Sequence, residues 1–164
     1  MGTSAGTGRA HNSVIVLAKL LPSDTDHGEA FFSFIELPND PAQLWRTLVT
    51  VSGWPFWNPL VEWTSAQILH ERERFTLLSA GALLEAQVVS VSQMRAAQLR
   101  CHRPRDPQPP AADFSLAFEP LGPVTRVSAQ ASVEPWLLDR FHRRFRDRSP
   151  TELLLIGLAR AAAT

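Results

Sequence analysis

The sequence predicts an α+β fold: a curved antiparallel sheet wrapped around a long C-terminal helix, with two short helices after the first core strand. Three observations carry this. Between residues 61 and 133 apolar residues recur at every second position in six consecutive segments, the pattern of half-buried strands. Ahead of them lie two helix signals, Asp40-Pro41-Ala42-Gln43 and Trp54-Pro55-Phe56-Trp57. Behind them, from Trp136 onward, the apolar spacing becomes helical and holds almost to the last residue.

Residues 1–12, rich in Gly, Ser and Thr, read as a disordered tail, and 13–164 as one domain. Ser13 to Leu21 carries Val14, Ile15 and Val16 and reads as an edge strand, and Pro22 to Gly28 as a polar turn. Ala30 to Leu37 is a strand with Phe32, Phe34 and Glu36 on one face and Phe31, Ser33 and Ile35 on the other. Asp40 caps the first helix, Pro41 sits at its first position, and Gln43 is placed to complete a capping box. Leu44, Trp45, Leu48 and Val49 form its apolar face, and Gly53 stops it. The Pro-rich Trp54 to Pro59 leaves room for one helical turn.

The expected strands are Val61–Leu69, Arg74–Leu78, Leu83–Ser92, Ala97–His102, Asp113–Glu119 and Thr125–Val133. In the last two, Phe114, Leu116 and Phe118 share a face, as do Val127, Ala129, Ala131 and Val133. Pro120 to Pro123 turns the chain between them. Arg103 to Ala112, with four Pro in ten residues, is a loop. Trp136 to Arg148 is an amphipathic helix. Ser149-Pro150-Thr151-Glu152 then forms a second capping box, so the helix kinks or restarts before Leu153 to Ala163.

Composition sets outer limits. The chain has 164 residues, enough to bury roughly 70% of its unfolded surface without metal or disulfide. Its net charge is zero, against a general attraction to nucleic acid or anionic membrane. Cys101 is alone, so no internal disulfide forms, which suits a reducing compartment. No apolar run reaches membrane-spanning length. Val14 to Leu21 is followed by Pro22-Ser23-Asp24 rather than a small-residue cleavage site. A cytoplasmic location, as monomer or homodimer, is the default expectation. Gly-rich phosphate loops, metal-ligand spacings and nucleophile elbows are missing from the sequence, so no metal and no cofactor is expected.

Three segments carry a family likeness: Trp54-Pro55-Phe56-Trp57-Asn58-Pro59, Leu121-Gly122-Pro123-Val124-Thr125-Arg126-Val127, and Ile156-Gly157-Leu158-Ala159-Arg160. With the element order, they make residues 30 to 163 resemble the START-like (SRPBCC) superfamily. That superfamily has the helix-grip fold of the birch-pollen allergen, lipid-transfer domains and polyketide aromatase/cyclases. The restart at Ser149-Pro150 departs from its unbroken terminal helix, and residues 13–28 have no clear counterpart. The resemblance implies a container for an apolar, polyketide-like or polycyclic molecule. Activities in such folds run from carriage to cofactor-independent cyclisation, because a fold does not fix a reaction.

Candidate walls of such a container are Trp54, Trp57, Asn58, Trp63, Phe34, Phe114, Phe118, Phe141 and Phe145. The tryptophans are core candidates first and ligand walls second, since each buries ~150–250 Å². Candidate acid–base groups are His142, His102, Arg100 and Glu85. His142 flanks the buried stripe of its helix, within reach of a pocket mouth. Arg100 and His102 share a strand face, and the apolar Leu99 and Cys101 beside them argue that this face is the outer one. Cys101 therefore forms no dyad with His102. Tyr is missing from the sequence. Arg140, Arg143, Arg144, Arg146 and Arg148 form a basic helix face, suited to solvent and nearby acids or to an acyl-carrier protein, a phosphopantetheine arm or RNA. Three readings stay open: ligand binding with cyclase/aromatase chemistry, non-catalytic lipid or hormone carriage or sensing, and a co-chaperone-like interaction module with a filled core.

Overall fold

The computed structural model describes residues 16–18, 28–106, 109–146 and 148–164. The tail expected at 1–12 and most of segment 13–28 lie outside the described residues.

The helix-grip architecture is present. Strand β1 (Val16–Ala18) pairs with β2 (Glu29–Leu37). There follow helix α1 (Pro41–Val49), a 3₁₀ turn at Val51–Gly53, and the single helical turn α2 (Trp54–Trp57). Strands β3 (Trp63–Thr64), β4 (Arg74–Ser79), β5 (Ala82–Ser92), β6 (Ala96–His102), β7 (Ala112–Leu121) and β8 (Val124–Val133) come next. Helices α3 (Pro135–Phe145) and α4 (Pro150–Ala162) end the chain. Among the described residues the strands join one antiparallel sheet in the order β1-β2-β8-β7-β6-β5-β4-β3. A bulge between Val88 and Ser90 shifts the β5–β6 register, a device that bends a sheet.

The period-two reading holds where a strand has one buried face. On β8, Thr125, Val127, Ala129, Ala131 and Val133 point inward; on β7, Leu116 and Phe118 do so. At the sheet's other side the expected strand Val61–Leu69 shrinks to two residues. Thr64 Oγ1 accepts from the Ala66 N–H and Ser65 Oγ from the Thr76 N–H, which turns the backbone out of the ladder. Leu69 then donates its N–H to Val49 at the end of α1.

Asp40 and Ser149 cap as expected, accepting from the N–H groups of Ala42 and Glu152. Neither box closes reciprocally: Gln43 accepts from Asn39 Nδ2, and Glu152 pairs with Arg148. The terminal helix is in two pieces. Arg146, at φ 55°, breaks α3, and Pro150 starts α4.

Helix α4 is the gripped element, lying against β2, β8 and α1 with Leu153, Leu154, Leu155 and Leu158 buried. Inside the grip Ser33 Oγ and Thr151 Oγ1 meet at 2.7 Å, both fully buried. Gly157 of α4 lets the helix seat on α2, since a Cβ there would run into the Trp57 carbonyl oxygen. At the start of β2, Gly28 takes φ 85°, and a Cβ would lie 2.6 Å from the Val133 oxygen. Among the described residues no helix is long and apolar enough to cross a membrane.

Candidate functional site

Between α3 and the β4–β7 part of the sheet lies a cavity of about 60 Å³. Its floor is the inward row of four strands, including Leu77 and Ser79 of β4, Leu84 of β5, Cys101 of β6 and Phe114 of β7. Alternation supplies this row: every second residue of each strand faces the hollow. Its roof is Leu137 and Phe141, one helical turn apart on α3, and its end wall is Trp54, Trp57 and Asn58 with Leu154 of α4.

Among the described residues no Asp, Glu, Lys, Arg or His lines this space; the polar ones there are Asn58, Ser79, Gln98 and Cys101. The Trp54 ring offers the cavity only apolar surface, because its Nε1 N–H is taken by the Leu48 carbonyl at 2.7 Å. The Cys101 thiol is 3% exposed, and burial, with the Asp113 charge as second cause, pushes it up to about 12. Such a thiol stays protonated and is a poor nucleophile.

Helix α3 reaches the sheet through its side chains. Leu137, Leu138 and Phe141 point down. Around its rim Arg144 pairs with Glu62, Arg140 Nη1 donates to the Ala80 carbonyl at 3.4 Å, and Arg103 stacks 3.9 Å over the Trp136 ring. Glu62 Oε1 also accepts the Gly81 N–H. Of the basic face, then, Arg140, Arg144 and Arg148 bind groups of the chain itself.

Of the expected wall residues, Trp54, Trp57, Asn58, Phe114 and Phe141 border the cavity. The other four do not. Phe34 is on the outer face, where Arg126 covers its ring at 4.9 Å, because Ser33 and Ile35 take the inward positions of β2. Trp63 is 50% exposed, since the chain has left the core there. Phe118 is buried edge-on against Trp45, in the part of the core filled by α1. Phe145 is only half-buried, at the frayed end of α3.

The expected acid–base groups lie elsewhere. Glu85 and His102 face each other across β5 and β6 on the outer sheet face, where Glu85 pairs with the exposed Arg74. Arg100 is on the same face and donates to Asp113 at 2.9 Å. Both follow from Leu99 and Cys101 taking the inward positions. His142 is exposed and borders a separate open depression with Phe31, Arg146, Arg148 and Ser149. One helical step past Phe141 carries it off the buried stripe. The lining also holds residues that were not among the expected walls, Ser79 and Leu137 among them. Leu137 was readable from its spacing to Phe141, and Ser79 sits where β4's inward row, Phe75 and Leu77, is continued by a polar residue.

No family model and no curated protein matches the sequence. Solved structures do. A hypothetical protein from Helicobacter pylori is similar at TM-score 0.63 and 16% identity, over 88% of this chain and 96% of that one. A START superfamily protein from Mycobacterium smegmatis is similar at TM-score 0.59 and 14% identity, over 82% and 97%. DynU16, from the dynemicin biosynthetic locus, is similar at TM-score 0.60 and 12% identity over 87% of this chain; the chain spans 48% of DynU16. What the chain shares with them is the START-like fold.

Proposed function

We propose that this protein binds a small, neutral, apolar molecule in the cavity between α3 and the sheet, and that binding rather than acid–base catalysis is its activity. One observation carries the reading: a cavity walled mainly by aromatic and aliphatic side chains, with no charged group among the described residues of its lining. Burying a charge there goes uncompensated, whereas apolar surface gains about 25 cal/mol per Å². Cyclisation of a polyketide-like chain needs a base at an enolisable carbon and a donor at its oxygen. The groups proposed for those roles, Glu85, Arg100, His102 and His142, do not border the cavity.

The space of about 60 Å³ is smaller than the ~150 Å³ that admits benzene. A ring or polycyclic ligand therefore needs a wall to yield. Helix α3 is the candidate wall, bounded by the helix break at Arg146 and pinned at its rim by Arg144–Glu62 and Arg140–Ala80. The same volume favours a second reading. Ligand pockets commonly exceed ~300 Å³, and an interaction module keeps a nearly filled core.

Titration calorimetry with benzene, naphthalene and a three-ring hydrocarbon separates the two. Saturable binding with a negative heat-capacity change, lost in an Ala112→Leu variant that fills the cavity, is the expected result. Failure of all three to bind below the millimolar range leaves the interaction module as the better account.

A further inference from the structure

We propose that the cavity selects a ligand bearing one neutral carbonyl oxygen, held between the side-chain amide of Asn58 and the hydroxyl of Ser79; this rests on the binding reading above. Asn58 is 7% exposed and Ser79 4%. Both border the cavity. They are brought to one end of it by backbone pairing. Glu62 donates its N–H to the Leu78 carbonyl at 2.8 Å and Trp63 faces Leu78, so the turn after Asn58 lies along the end of β4 that carries Ser79.

The orientation of the Asn58 amide is fixed by chemistry. Its Oδ1 accepts from the Leu60 N–H at 3.0 Å, and a backbone N–H cannot pair with an NH₂ group. The Nδ2 group, with two N–H donors, is left without a protein acceptor among the described residues, and the Ser79 hydroxyl is left without a side-chain partner there as well. Neither Asn58 nor Ser79 holds one of the unpartnered side-chain atoms fully closed from solvent-sized space among the described residues, and both residues border the cavity.

Two donors in an apolar hollow ask for an acceptor with two lone pairs. A ketone, ester or quinone oxygen supplies it. A carboxylate would supply it too, but among the described residues no cation lines the cavity to offset its lost hydration. A hydrocarbon of the same shape leaves both donors unpaired.

Cyclohexanone and methylenecyclohexane test this, because they differ by C=O against C=CH₂ at almost constant shape. NMR titration of the full chain gives both affinities, for the parent, Ser79→Ala and Asn58→Asp, the last keeping the oxygen that caps Leu60. The expected result is a ketone-to-hydrocarbon affinity ratio that falls at least five-fold in each variant. The ketone ¹³C signal moves downfield on binding the parent, and cyclohexanecarboxylate does not bind. If Asn58→Asp fails to fold, Ser79→Ala decides alone. An unchanged ratio overturns the carbonyl assignment and leaves apolar binding standing; it is also the result expected if water alone satisfies the two donors. If neither probe binds, both proposals fall.

Discussion

Replacing Gly157 with Ala tests whether α4 is seated on α2 as described. On an isolated helix the change is favourable by about 1 kcal/mol, because Gly is a poor helix former. Here the added methyl would be driven into the Trp57 carbonyl oxygen and lie 3.1 Å from Pro59 Cδ. The oxygen belongs to the backbone and cannot rotate aside, so α2 and α4 must part by roughly 1 Å. Contact this close to a backbone atom puts the cost at the upper end of the overpacking range, about 2–3 kcal/mol. Set against the propensity gain, a net loss of about 1–2 kcal/mol follows. At this chain length that lowers Tm by about 2–8 °C. Urea unfolding followed by tryptophan emission reads the loss. Because Trp57 and Asn58 form the cavity's end wall, affinity for apolar probes should fall in the same variant. A Gly157→Ala protein as stable as its parent, with unchanged emission, would refute the packing of α4 against α2.

Other outcomes follow from the same structure. Cys101 keeps its proton up to about 12 in the folded chain, while the unfolded thiol loses it near 9.0. The folded form therefore holds more protons between those limits. The thiol's share of stability is full below 9.0 and is lost as pH rises toward 12. Relative to Cys101→Ala, the parent's unfolding free energy should fall by on the order of 1 kcal/mol per pH unit across that window, measured by denaturant titration. Equal slopes would contradict the burial. Thr151→Val strands the Ser33 hydroxyl inside the grip and should cost about 1–3 kcal/mol in urea melts. Single substitutions Glu85→Gln, Arg100→Met, His102→Asn and His142→Asn should leave probe affinity within two-fold in calorimetry, since all four lie outside the cavity. A ten-fold loss in any would reopen the catalytic reading.

Much of the fold was legible because binary pattern and caps agree along the chain. The alternation of Val127, Ala129, Ala131 and Val133 could only be a strand with one buried face. Asp40-Pro41 and Ser149-Pro150 announced helix starts that the structure shows. What local pattern could not convey was registration between distant segments. Phe34 and Ile35 are both apolar, and only the pairing of β2 with β8 decides that Ile35 faces Val127 inside while Phe34 meets Arg126 outside. Trp63 reads as core by type, yet its position after the Asn58 turn leaves it half exposed. Ser79 resembles any turn-flanking serine until β3 pairs beside it. Polar residues such as His102 look chemical in a sequence, but the neighbours Leu99 and Cys101 already indicated that its face was the outer one.

Xenon is small enough to enter an apolar hollow of this size without a wall having to move. A methyl-detected NMR spectrum of the chain under xenon pressure should show shifts concentrated on Leu48, Leu60, Leu77, Leu84, Leu137 and Leu154, with saturation. Shifts scattered over surface methyls, or none at all, would contradict an open apolar interior, and with it the claim that this fold is a container.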